Sequence, residues 1–468
     1  MPMPDTTFKQ RIRDALHNPK VTHAVALGAH NLEAGRARAV AAFPQMDEFR
    51  DRARLIRAHT ISNLDRYLAQ FADNVEANGG TVFWAKDAAE AVNYVRQLAK
   101  AQGVQQVVKS KSMATEEIEL NHALEADGIN VTESDLGEFI IQLAEEKPSH
   151  IIAPVMHKTR YEVAETFHEK LGVPYTDDPI ALNDIARAHL RKIFLSADMG
   201  ISGANFAVAE SGSICLVTNE GNGRFTTTAP RIHVAIVGME KVIPTFEDLG
   251  VLLNVLARSA TGQKMSVYTS IITGARRPAD PDGPEEFHVV LLDNGRSRAL
   301  ASENAEILYC IRCGACLNHC PVFQAIGGHA YGSVYPGPIG SVISPILWGL
   351  DTAGEMPHAS TLCGKCQEVC PVRIDLPRML LNLRAAGHEA GKSPAWLNWG
   401  VRGYRMAAAH PTLYRWGMKI ASLGTRLLAK NGWVKKLPPP LNGWTDYREF
   451  PAFAQKSFHE QWKERKRQ

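Results

Sequence analysis

Between residues 61 and 75 the apolar positions Ile61, Leu64, Leu68, Phe71 and Val75 recur at three- and four-residue spacing among polar neighbours. That is the period of an amphipathic helix, and Asn78-Gly79-Gly80 then breaks it. The first eighty residues accordingly read mostly as helices. From about residue 81 short apolar runs alternate with helical stretches. Thr81–Trp84, Gln106–Val108, Asn130–Thr132, Ile151–Pro154, Ile214–Thr218 and His233–Val237 read as strands, and Asp87–Lys100, Glu116–Ala126 and Arg160–Leu171 as crossover helices. Strands separated by helices predict a layered α/β domain with a largely parallel sheet. Ser266–Ile272 and Phe287–Leu292 read as its last strands, split by a turn-rich Pro, Asp and Gly segment at 278–284.

A chain of 468 residues exceeds what one core holds, so it divides. The reading gives four regions: a helical 1–80, an α/β domain over 81–300, a cysteine-rich 301–393 and a tail over 394–468. The tail carries fourteen Lys and Arg against four Asp and Glu, whereas the whole chain is only +3. It also holds six of the eight tryptophans, a composition that predicts docking on a partner protein or an anionic membrane face. No recognised nucleic-acid-binding motif accompanies the charge. No apolar run is long enough to span a bilayer, and no secretion signal is visible after Met1, so a reducing, cytoplasmic setting is expected, with peripheral contact at the inner membrane face.

The cysteines carry the chemistry. Cys310, Cys313, Cys316 and Cys320-Pro321 form C-x2-C-x2-C-x3-C-P, the bacterial ferredoxin pattern for [4Fe–4S] ligation. A second run, Ser360, Cys363, Cys366 and Cys370-Pro371, repeats it with serine at the first position. In two-cluster ferredoxins the fourth cysteine of each run serves the other cluster. That rule assigns Cys310, Cys313, Cys316 and Cys370 to one [4Fe–4S] cluster, and Cys320, Cys363 and Cys366 to a second. The second cluster then takes Ser360, water, a partner's ligand or a substrate as fourth ligand, or exists as [3Fe–4S]; a labile [4Fe–4S] is the favoured form. Thiols packed this closely do not suit a single zinc ion. Cys215, in an apolar run, reads as a buried small hydrophobe, and His319 as a neighbour of the thiols rather than a ligand. The glycine-rich stretch from Gly327 to Gly340 is expected to be irregular and to pack over the clusters or receive a partner. No G-x-G-x-x-G follows a strand and no hydrolytic triad or H-E-x-x-H can be picked out. Two anion-friendly segments stand out, Lys109-Ser-Lys111-Ser112 and Gly221-Asn-Gly223-Arg224. Either could face a carboxylate or be a solvated charge cluster and a tight turn.

The stretch Glu210–Arg224, continuing to Pro230-Arg-Ile-His233, Gly238-Met-Glu-Lys241 and Pro244-Thr245, resembles the lactate-utilization (LUD) domain. Joined to the two cysteine runs, Tyr335-Pro-Gly-Pro-Ile-Gly340 and the tail segment Gly443–Pro451, it makes nearly the whole chain resemble the lactate utilization protein B family. The resemblance implies a ribose-5-phosphate isomerase or CoA-transferase-like sheet, an α-helical ferredoxin-type domain with two iron–sulfur clusters, and a helical basic tail. It implies an electron-transfer subunit working with lactate utilization protein A-like and C-like partners in the NAD-independent oxidation of L-lactate to pyruvate, with membrane quinone as an acceptor. Two other readings stay open: a catalytic subunit that binds lactate on its α/β domain, and a structural hub whose clusters only hold domains together.

Overall fold

The computed structural model describes residues 6–392, 395–439, 441–446 and 448–466. The chain start, the 393/394 junction and Tyr447 of the tail segment lie outside them. The chain divides into two compact units, Met1–Gly387 and His388–Gln468.

The first unit opens on four helices, Phe8–Leu16, Pro19–Ala41, Met46–Ser62 and Leu64–Ala77. The apolar stripe read from the sequence is the buried face of the fourth: Leu64, Leu68, Phe71 and Val75 are all in the core. Ten strands follow: β1 Thr81–Ala85, β2 Gln106–Lys109, β3 Asn130–Glu133, β4 Met199–Ser202, β5 Phe206–Val208, β6 Ser213–Thr218, β7 Ile232–Gly238, β8 Val242–Ile243, β9 Tyr268–Ile272 and β10 Glu286–Leu292. Six make one sheet in the order β1-β10-β7-β4-β2-β3, with every neighbouring pair parallel. Its central strand β7 is buried at all seven positions, as a parallel strand covered on both faces must be. Alternation sorts its neighbour β10: Val289 and Leu291 pack on the side of the N-terminal helices, Val290 and Leu292 on the side of the crossover helices.

Several elements depart from the sequence reading, each for a local reason. Ile151–Pro154 is not a strand. The N–H groups of Ile152 and Ala153 donate to Nδ1 of the buried His150 at 3.1 and 3.2 Å, and the Ser149 N–H donates to the Pro154 carbonyl, so the backbone closes on itself. The 116–126 helix is two, Met113–Glu117 and Leu120–Ala126, parted by Glu119 in the left-handed region at φ 54°. The segments at 214–218 and 268–272 do not extend the parallel sheet. They pair antiparallel as β6 and β9 in a second, four-stranded sheet of order β8-β5-β6-β9. Strand β10 is not at the end of its sheet but between β1 and β7. The glycine-rich stretch is irregular only up to Pro336; Gly337 opens a buried helix to Trp348.

The second unit holds helices Ala395–Ala409, Pro411–Leu428 and Phe458–Arg465, and a short antiparallel pairing of Trp433–Val434 with Phe450–Pro451. Its tryptophans, at 396, 399, 416, 433, 444 and 462, are exposed in this chain rather than packed inside it.

Candidate functional site

The two cysteine runs fold as loops of the same shape. In the first, Arg312 and Gly314 sit at φ 59° and 75°; in the second, Leu362 and Gly364 occupy the same places at φ 55° and 80°. Two left-handed residues around the second ligand position turn the chain tightly enough to aim successive side chains inward. The Arg312 N–H donates to Cys310 Sγ at 3.4 Å, and its counterpart, the Leu362 N–H, donates to Ser360 Oγ at 3.1 Å. Ser360 therefore stands in the second loop where Cys310 stands in the first.

The thiols fall into two sets. Cys310, Cys313, Cys316 and Cys370 line one small cavity with Ile339 and Ile374. Cys363 and Cys366 lie on the second loop; the thiols of Cys320 and Cys363 bear on Cys366, which also bears on Cys316 of the first set. Burial pushes the Cys313 and Cys316 thiols up, Cys366 to about 12 and Cys370 to about 11. Cys363 is exposed and goes the other way, lowered by hydrogen bonds from the Lys365 N–H and from Thr361. Cys215 is buried on β6, away from both sets, and burial raises it to about 12. His319 donates from Nδ1 to the Ala315 carbonyl at 2.9 Å. Among the described residues no three His, Cys, Asp or Glu gather as they would around a single metal ion.

Arginines brace both cysteine loops, Arg50 and Arg36 at the end of the second and Arg57 on the approach to the first. Arg50 donates to the Cys370 carbonyl at 3.0 and 3.2 Å, and Arg36 to that of Val369 at 3.2 Å. Arg57 reaches the carbonyls of Val242, Glu240 and Leu308, tying the third helix to the sheet and to the approach to Cys310. Arg296 holds both carboxylate oxygens of Glu117 at 2.9 Å and Glu240 at 2.5 Å. Burial alone would lower the Arg296 guanidinium's pKa, but these two carboxylates raise it well above its ordinary value. Tyr335 donates to Glu117 at 2.5 Å, and Arg312 lies 4.7 Å from the Tyr335 ring centre. From the α/β side, His150 Nε2 donates to Asn318 Oδ1 at 2.9 Å; burial lowers this imidazole to about 3, so it is neutral and its tautomer is fixed.

Beside the first loop lies a cavity of about 350 Å³. Its floor is the carboxyl edge of the parallel sheet: Ser110–Ser112 after β2, Asp135 after β3, Gly203–Asn205 after β4, and Glu240 and Lys241 after β7. Thr218–Glu220 and Asn222 form one wall, and Arg312, Cys313 and Tyr335 another. Cys313 thus borders both this cavity and the one lined by the four thiols. Burial, then Arg312, lowers the Lys241 ammonium to about 8, whereas burial and Asp135 raise the Glu220 carboxyl.

The comparisons with known proteins follow this anatomy. Residues 68–292 match the LUD domain, residues 306–374 the 4Fe-4S dicluster domain, and residues 384–467 the family described as Lactate utilisation protein B, C-terminal. The chain is 45% identical over its full length to 99% of Lactate utilization protein B of Bacillus cytotoxicus. It is 46% identical, over 97% of the chain and 96% of the relative, to that of Geobacillus kaustophilus. The chain belongs to the lactate utilization protein B family. It is a lactate utilization iron–sulfur protein, with a 4Fe-4S dicluster domain between a LUD domain and the family's own C-terminal region.

Only part of each anion-friendly segment reaches the cavity. Lys111, Ser112 and Asn222 line the cavity. Lys109 does not: it is 1% exposed, paired with Glu133 at 2.8 Å and Glu116 at 2.9 Å. Arg224 is exposed and outside the lining. The sequence reading missed Arg312, Tyr335 and Asp135 as cavity residues. Glu240 and Lys241 stood in the motif quoted for the family resemblance, and their place just past the end of a predicted strand is the signal by which the site could have been found.

Proposed function

We propose that this chain is the electron-transfer subunit of a lactate utilization system and serves the NAD-independent oxidation of L-lactate to pyruvate. In this reading Cys310, Cys313, Cys316 and Cys370 hold one [4Fe–4S] cluster, and Cys320, Cys363 and Cys366 hold a second whose fourth ligand is Ser360 or an exchangeable group. The observation that carries it is the segregation of the thiols into one set against the sheet-edge cavity and one set reaching the surface at Cys363. A bound cluster supplies one-electron chemistry.

The side chains present suit such a tenant. Four thiols surround one cavity, and the N–H groups of Arg312 and Ile374 donate to Cys310 and Cys370 sulfur, the kind of contact that tunes a cluster's potential. Arg36, Arg50 and Arg312 place positive charge beside thiolates whose burial would otherwise disfavour ionisation. The Tyr331 hydroxyl is buried without a partner, and the groups bearing on it are Cys320 and Cys316, one from each set. It is placed to donate to a sulfur there.

Electrons would enter at the inner set and leave through the outer one to a partner, with A-like and C-like lactate utilization proteins and membrane quinone as the expected company. The basic, tryptophan-bearing second unit is the proposed docking element. The setting is a reducing compartment, at or near the inner membrane face; among the described residues no helix is long and apolar enough to cross a membrane. Oxygen-free purification, iron and sulfide analysis, and paramagnetic resonance before and after reduction test the reading. Reducible clusters are expected; protein holding only zinc, or clusters that never change oxidation state during lactate turnover, would overturn it in favour of a structural role.

A further inference from the structure

We propose that the cavity at the carboxyl edge of the six-stranded sheet binds a small 2-hydroxycarboxylate, with Lys111 facing the carboxylate and Asn222 accepting from the hydroxyl. The proposal deepens the proposed function and rests on it only for the use made of the bound acid.

Position is the first argument. The chain passes from β2 outward to β3, then returns to place β4 on the other side of β2 and continues toward β7 and β10. The connections therefore reverse direction between β2 and β4, and open parallel sheets bind ligands in the crevice outside the carboxyl ends of such strands. The loops that leave these two strands, Ser110–Ser112 and Gly203–Asn205, both line the cavity.

Charge is the second. Glu240 is already engaged by Arg296 at 2.5 Å and Arg312 at 3.3 Å. Lys111 and Lys241 have no carboxylate within 4.0 Å among the described residues, so two ammonium groups border the space without a direct counterion. Asp135 and Glu220 also line the space and bear on Lys111 from beyond direct contact, which sets an upper limit on the charge that fits. They favour a singly charged anion and oppose a phosphate dianion.

Hydrogen bonding is the third. Two buried polar atoms of lining residues are left without partners: the Asn222 Oδ1 acceptor and the Arg312 Nη1 donor. An unpaired buried polar atom costs about 1–3 kcal/mol, so it marks a place for a ligand or water. One acceptor and one donor ask for a molecule that presents a hydroxyl as well as an anionic oxygen. Leu216, Leu256 and Ala257 supply apolar lining for its carbon end, and about 350 Å³ holds a three-carbon acid with some water. Cys313 on the far wall brings such a ligand beside the inner thiol set.

Isothermal titration calorimetry on the oxygen-free, full-length protein with its clusters bound tests this, with L-lactate, propionate and inorganic phosphate as probes. Expected are measurable binding of L-lactate, affinity for propionate at least about tenfold weaker for want of the hydroxyl, and a loss of about tenfold or more in Lys111→Met. Asn222→Ala is expected to narrow the gap between L-lactate and propionate, and it carries the test if Lys111→Met fails to fold. Absence of L-lactate binding, unchanged affinity in both variants, or phosphate bound more tightly than L-lactate would overturn the proposal. The two readings fail separately: reducible clusters without lactate binding sink only the pocket, and lactate binding without reducible clusters sinks only the relay.

Discussion

The loops 310–320 and 360–370 have matching backbones and opposite surroundings. Both turn on two left-handed residues, and both use the N–H of the third position to hold the side chain of the first. The first lies against the parallel sheet, with Arg312 over Tyr335 and a cavity on its flank, whereas the arginine-braced Cys370 ends the second. The second leaves Cys363 exposed and is pinned by a surface pair, Lys365–Glu368 at 2.9 Å. The repeat in the sequence dictates the shape of the cradle, and what packs around each copy decides its part. In the proposed relay, the loop closed in by the sheet would be the receiving end and the open one the delivering end.

The sharpest way to break this comparison is to remove a thiol from each loop. Under the proposed assignment Cys313→Ser should lose the inner site and about half of the bound iron, while Cys363→Ser should spare the inner site. Iron and sulfide content with paramagnetic resonance will show it, and identical spectra from the two variants would erase the distinction. Next in size is the bracing. Arg296→Met strands Glu117 and Glu240 in the interior and should cost about 3–5 kcal/mol in urea unfolding. The backbone comes third. Gly364 has open space around it, so Gly364→Ala should cost only the left-handed penalty of about 1–2 kcal/mol. Gly314→Ala should cost about as much, since its added methyl would meet His150 and Ile152 only at ordinary contact distances of 3.4–3.7 Å. Smallest is the outer pair: Lys365→Met should change stability by less than about 1 kcal/mol, because both partners are solvent-exposed.

Periodicity carried much of this fold. The alternation of strands and helices announced the parallel sheet, and the helix over 160–171 lies where its pattern places it, between a Thr159 capping box and Gly172. What was not legible depended on contacts far along the chain. Nothing local says that His150 will take the N–H groups that would have made 151–154 a strand. Lys109 and Lys111 are two residues apart, and a reader of the sequence sees two equal cations. The structure sinks the first between Glu133 on β3 and Glu116 on the helix Met113–Glu117, and leaves the second, past the strand end, at the cavity. Arg312 and Tyr335 reach the same cavity from another domain, which only the folded chain can bring there.

The exposure of Cys363 sets an order of failure. In air, oxidants and alkylating agents should meet this sulfur before any other in the two loops, because it alone is exposed while the rest are buried or half-buried. Under the proposed two-cluster assignment, damage should therefore start at the outward site and stop there for a time, so that an aerobically handled sample would be a half-wired molecule, its inner centre intact and its outlet cut.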